Sequence, residues 1–368
     1  MNAWYLTGLA LLLAAGPTKT DVAKTDVIEK KLANGTVHMR TEVLIDERGV
    51  TTPHGKRTRY FSDGKPAREE TFAEGAKSGP WTEWFPSGTK SGEGTYQAGH
   101  KQGVERRYFA DGSLFMEGNY QDGRRQGKQV EWFGPERKRY EYDYDAGFKH
   151  GVASEWYASG QPRSVTGYAH GQKHGLDTHW YENGKKRMEC TYAQDRKTGT
   201  FSEWYPGGQP KTTVEYRDGN RDGKAISWFE IGNKQMEGQF VRGQQDGLWS
   251  EWFEDGAKAA DLTFQLGSHD GTQIYWHANG TKRLELPLVK GVREGTWNEW
   301  YENEQLRGTG QYAAGKPHGD TKYFYDDGKP ASVKSYDHGE RVGTWTEWDQ
   351  EGKVLSQVSH KNGLPVVE

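Results

Sequence analysis

The chain has 368 residues, of which 33% are hydrophobic and 13% aromatic, and its mean hydropathy is -1.02. A formal net charge of -3 excludes the basic field of a nucleic-acid binder, and a single cysteine, Cys190, excludes both a disulfide framework and a multi-cysteine zinc site. So polar a composition would suit disorder, but fourteen of the fifteen tryptophans fall into two columns of one repeat, an order that disorder does not produce.

In chain order, residues 1–16 read as a cleavable signal peptide, apolar from Ala3 to Ala15 and followed by polar sequence. The run is too short for a comfortable membrane span, and no cysteine follows it to carry a lipid. No Lys or Arg precedes the run, which counts against export. The balance favours an exported protein, periplasmic, in the cell envelope or extracellular, and not integral to a membrane after cleavage. Residues 17–31, rich in Lys, Thr and Asp, read as a flexible spacer, and residues 32–54 as an irregular N-terminal capping hairpin.

From residue 55 to residue 354 a period of 24 residues governs the chain. Its anchor is an aromatic column of Trp84, Trp132, Trp156, Trp180, Trp204, Trp228, Trp252, Trp276, Trp300 and Trp348, with Tyr60, Tyr108 and Phe324 completing it. Glycine fills a second column without exception from Gly55 to Gly343, and a third, from Phe72 to His360, is aromatic in eleven of thirteen places. Trp81, Trp249, Trp297 and Trp345 share a position three residues before the anchor. Units of this kind bury their apolar faces only against their neighbours.

Each unit reads as a hairpin. A β-prone run such as Trp81 to Phe85 leads into a turn, and the equivalent turns include Asp63-Gly64, Asp111-Gly112, Asn183-Gly184 and Asp327-Gly328, which predict two-residue type I′ geometry. The second strand alternates Gly92, Gly94 and Tyr96 with Glu93 and Thr95. A Gly-x-x-x-Gly loop, as from Gly123 to Gly127, returns the chain to the next hairpin. Recurrent glycine excludes helix beyond the signal segment. The expected fold is therefore all-β: an elongated open meander of about thirteen 24-residue antiparallel hairpins around a thin aromatic seam, with residues 355–368 as a C-terminal capping strand and tail.

Segments such as Gly151 to Gly160 with Gly167 to Gly175 resemble the bacterial variant of MORN repeats, found in many antitoxin-like proteins. The resemblance implies hairpin arrays that act as scaffolds and, in eukaryotic relatives, contact with phospholipid. The chain departs from the pattern at Glu136 and Glu304, which replace the hairpin glycine, and at Asp195, which replaces the first loop glycine.

Because every prominent feature is repeated, while an active site is singular, the residues point away from an enzyme. The expected function is a scaffold for multivalent protein interaction. The alternative is binding of anionic phospholipid or envelope glycan through a basic loop edge formed by Lys77, Lys101, Arg125, Lys149, Lys173, Lys197, Arg221, Arg293 and Arg341. Solvated loop cations are the plainer reading of the same column. A glutamate column before the anchor, from Glu83 to Glu347, reads as a row pairing with Lys or Arg across the sheet rather than as catalytic carboxylates. His54, His150, His174 and His318 precede the invariant glycine and read as loop residues. Cys190 reads as a small buried residue, and no cofactor or metal is expected.

Overall fold

The computed structural model describes residues 24–366, so the signal peptide and the first part of the spacer lie outside the described residues. Within that range every regular element is a β-strand, and each well-defined pair is antiparallel between strands close in sequence. The chain divides into two compact units, Met1–Gln126 and Gly127–Glu368.

In the first unit the strands Lys24–Lys31, Val37–Ile45, Thr51–Tyr60, Pro66–Ala73, Ala76–Trp84, Lys90–Gln97, His100–Tyr108 and Leu114–Gln121 follow one another. The expected spacer is therefore a paired strand from Lys24 onward, with Ile28 opposite Thr41 and Glu29 opposite Arg40. The Arg40–Glu29 ion pair, at 2.7 Å, ties the two strands. Polarity had pointed to a linker, but an exposed strand hydrogen-bonded along one side needs no apolar pattern. The second unit is likewise an antiparallel meander, ending with Val354–Lys361 and the two-residue strand Leu364–Pro365.

Two turn types alternate, and their assignment differs from expectation. The Asp-Gly and Asn-Gly turns are three-residue loops. Gly64 N–H donates to Phe61 O at 3.0 Å and Phe61 N–H to Lys65 O at 2.8 Å, and only the glycine has positive φ, which is a type I turn closed by a bulge. Asp63 is there to accept the Lys65 N–H at 3.1 Å, as Asn183 does from Lys185 and Asp327 from Lys329. The two-residue type I′ turns are at the opposite end of each hairpin, at Glu74-Gly75, Ala98-Gly99, Asp218-Gly219 and their equivalents, where both residues have positive φ. Glu136, Asp195 and Glu304 hold left-handed φ of 58°, 63° and 67°, each in the place of a turn glycine.

The invariant glycine column sits inside a strand, not in a loop. Glu70 is opposite Trp81 but Phe72 is opposite Lys77, so extra residues around Gly79 bulge outward, and Gly79 has a φ of 100°. This explains why the column tolerates nothing else.

The seam is also redistributed. Residues three apart on a strand point to opposite faces, so the two tryptophan columns are on different sides of the sheet. The anchor column is half-buried. The buried one lies three residues earlier: Trp81, Glu105, Gln129, Ala153, Asp177, Ala225, Trp249, Gln273, Trp297 and Thr321. Its densest part packs Trp249 with Ala225 and Phe264, flanked by Val214, Met236, Phe240 and Leu262.

Candidate functional site

The basic column starts each returning strand rather than projecting from a loop. Seven of its nine side chains lean over a ring of the next hairpin, nineteen residues on. The Lys77 ammonium is 5.0 Å from the Tyr96 centroid, Lys101 is 4.8 Å from Tyr120, Lys149 is 5.2 Å from Tyr168, Lys173 is 4.9 Å from Tyr192 and Lys197 is 5.1 Å from Tyr216. Arg221 and Arg293 lie at 5.2 Å from Phe240 and Tyr312, and Arg341 at 4.7 Å from Trp345. Arg125, at the equivalent place, is exposed and also engaged. The main chain joins in: the turn residues Gly99, Gly123, Gly171 and Gly219 donate N–H to the carbonyls of Lys77, Lys101, Lys149 and Lys197. The column thus clamps one hairpin to the next. The lysines are half-buried, whereas Arg221, Arg293 and Arg341 are exposed.

Three of these lysines also meet a buried acid. Lys77 pairs with Glu70 at 2.6 Å, Lys101 with Glu105, and Lys173 with Asp177 at 2.8 Å. Asp177 is fully buried and also accepts from Thr166 Oγ1 at 2.6 Å and lies 2.9 Å from His179 Nε2. Burial alone would raise its pKa, but the hydrogen bonds from His179, Lys173 and Thr166 outweigh it and hold the carboxyl well below the usual range. Cys190 is directly opposite on the neighbouring strand and 1% exposed, and burial pushes its thiol up, as expected of a packing residue.

The glutamate column pairs largely as expected, but on the buried side of the sheet. Glu83 receives Arg68 and Arg107, both at 2.5 Å, Glu299 receives Arg307 at 3.0 Å and Glu347 receives Lys334 at 2.9 Å. The histidine column has a local task. Its residues sit beneath the next type I′ turn, where His54 accepts the Glu74 N–H at 3.4 Å, as Gln102 does from Asp122 and Glu294 from Ala314.

The opposite face carries an arrangement that sequence reading had not assembled. Lys138, Lys186, Lys234, Lys258 and Lys282 each pair with an acid three residues on, Glu141, Glu189, Glu237, Asp261 and Glu285, at 2.5–2.7 Å. Each also lies over the anchor tryptophan of the next hairpin: Trp156, Trp204, Trp252, Trp276 and Trp300, at 5.2–5.8 Å. From Lys234 to Trp300 this motif occupies three consecutive hairpins without a gap. The lysine six residues after the anchor was the available signal; proline, leucine or valine in the other units hides it. Trp84, Trp132, Trp180, Trp228 and Trp348 occupy the same half-buried column.

Seven segments of the chain, 53–74, 101–122, 173–194, 197–218, 293–314, 317–338 and 341–362, match the model of the MORN repeat variant; together they cover less than half of the sequence. No curated protein matches the chain. Among solved structures, it is similar to a Photorhabdus luminescens Tc holotoxin pore carrying a TccC3 mutation, at 12% identity and a TM-score of 0.18 over 91% of this chain and 18% of that one. A crystal structure of TcdB2-TccC3 without its hypervariable C-terminal region is similar at 12% identity and a TM-score of 0.17, over 90% of this chain and 20% of that one. This chain spans about a fifth of the length of those chains, and likeness at such TM-scores carries no structural weight. Among the described residues no helix is long and apolar enough to cross a membrane.

Proposed function

We propose that the chain is a non-enzymatic scaffold of the MORN-variant kind, exported, which engages a protein partner through the tryptophan–lysine–acid face. The observation that carries this reading is the uninterrupted run over Lys234, Lys258 and Lys282. It sets three equivalent patches of half-buried aromatic surface with paired charges on consecutive hairpins, about two strand spacings or 10 Å apart. Identical weak contacts at fixed spacing add through effective concentration when the partner repeats at the same interval. The antitoxin-like, bacterial branch of the family is the finer reading that the resemblance of the Gly151–Gly175 segment supports.

A second reading rests on Arg221, Arg293 and Arg341, three exposed members of the basic column: they would meet anionic lipid or glycan. One experiment separates the two. Capture from the host envelope would use the wild type, a Lys234/Lys258/Lys282→Glu variant and an Arg221/Arg293/Arg341→Glu variant. Loss of a specific protein only with the first variant supports the scaffold. Anionic lipid or glycan lost only with the second favours the alternative, and recovery indifferent to both sets sinks both.

A further inference from the structure

We infer that His318, Asp337 and His338 form a divalent transition-metal site that staples two neighbouring hairpins. His318 lies on the strand Lys316–Phe324, beneath the type I′ turn His338-Gly339 of the next hairpin; Asp337 ends the strand leading into that turn. One ligand atom from each residue falls within 4.8 Å of the other two. His318 Nδ1 is 3.5 Å and His338 Nδ1 2.6 Å from the same Asp337 oxygen, and the two imidazole rings are 4.7 Å apart.

Zinc bonds of about 2.0–2.2 Å set neighbouring ligand atoms of a tetrahedral site roughly 3.3–3.6 Å apart. The His318–Asp337 separation already has that value. The shorter His338 contact is a hydrogen bond that an ion would replace as the exposed rings adjust. Two imidazoles and one carboxylate suit Zn²⁺, Cu²⁺ or Ni²⁺ and are too few oxygens for Ca²⁺ or Mg²⁺. The remaining position is open to water, since all three residues are at least partly exposed.

The repeat supplies its own control. His150 and His170 occupy the same two columns, with rings 5.8 Å apart, but the place of Asp337 is taken by Ala169. The same backbone therefore presents two ligands in one place and three in the other, and no other hairpin among the described residues assembles three. Nor is the third ligand needed by the fold: the turn N–H faces His318 Nδ1 at a long 3.5 Å without Asp337, and an ion bound at that nitrogen would take over its lone pair.

That equivalence gives variants the fold accepts elsewhere: His318→Gln, as at Gln102; Asp337→Ala, as at Ala169; and His338→Asn, as at Asn362, which also has positive φ. The full chain, stripped of metal, would be titrated with ZnCl2 by calorimetry, and CoCl2 would report tetrahedral geometry by its visible absorption. Loss of even a supporting contact typically weakens metal sites by about 10–100-fold, so each variant should bind at least about tenfold more weakly and lose the cobalt band, while His150→Gln changes neither. Zinc should raise the melting temperature of the wild type but not of Asp337→Ala. A wild type that binds no zinc, or a zinc isotherm unchanged in all three variants, overturns the site.

Discussion

Asp177 shows how much of this protein is decided by single side chains at one repeated position. The backbone there is the same as at Trp249, yet the buried group is a carboxylate held by Thr166, Lys173 and His179 instead of an indole. Asp177→Asn weakens charge-assisted hydrogen bonds and should cost about 1–3 kcal/mol at pH 7. The sign of the pH dependence follows from the depressed pKa. The stabilisation is complete above the unfolded-state value of about 3.9 and is lost as pH falls through and below it. The gap in melting temperature between wild type and Asp177→Asn should therefore be full at pH 7 and narrow progressively as pH falls below about 4; a constant gap would show that the charge is not what Asp177 contributes. None of this was legible in the sequence. Asp177 falls in a column whose members share depth but not chemistry, and periodicity exposes only what repeats.

At the level of the hairpin, most of the fold was legible and one part was exchanged. The hairpins, the antiparallel meander and the existence of the glycine column follow from the 24-residue period, whereas the column's place in a strand bulge rather than a loop does not. The turn types did not, because Asp-Gly suits a type I turn with a bulge as well as a type I′ turn. The true type I′ positions carry Glu74, Ala98, His170, Arg242 or Leu266, residues with no turn preference in common. There the two-residue link and the strand twist fix the geometry and the side chain yields. This gives a graded expectation for the three turn positions that lack glycine. Glu136→Gly and Glu304→Gly relieve left-handed strain and should each stabilise by about 0.5–1 kcal/mol in urea unfolding. Asp195→Gly should gain nothing, because the Asp195 carboxylate accepts the Lys173 N–H at 2.8 Å, a bond glycine cannot make. Equal gains at all three sites would contradict that distinction.

Across the second unit, the main contacts run between strands consecutive in the chain. Damage should then stay local. Gly238 offers the test: a Cβ there would meet the Trp249 ring at 2.2 Å, in the densest part of the buried face. Gly238→Ala should cost about 1–3 kcal/mol by overpacking. Hydrogen exchange should rise between residues 214 and 264 and stay unchanged between 306 and 346. Uniform loss of protection would mean that the hairpins melt as one body. The candidate face was less legible than the fold, since its lysine recurs in only some units and its tryptophans were read as seam.

The buried column has one more consequence. Thirteen nearly interchangeable hairpins invite a slip of one whole period, after which every glycine and anchor aromatic would again find a suitable neighbour. The interior residues forbid the counterfeit. Shifted by 24 positions, Arg68 and Glu70 would lie opposite Arg107 and Glu105 instead of Glu83 and Trp81, and like charges set opposite one another, one of them buried, are costly. The irregular letters in an otherwise monotonous text thus serve as page numbers: they tell each hairpin which neighbour is its own.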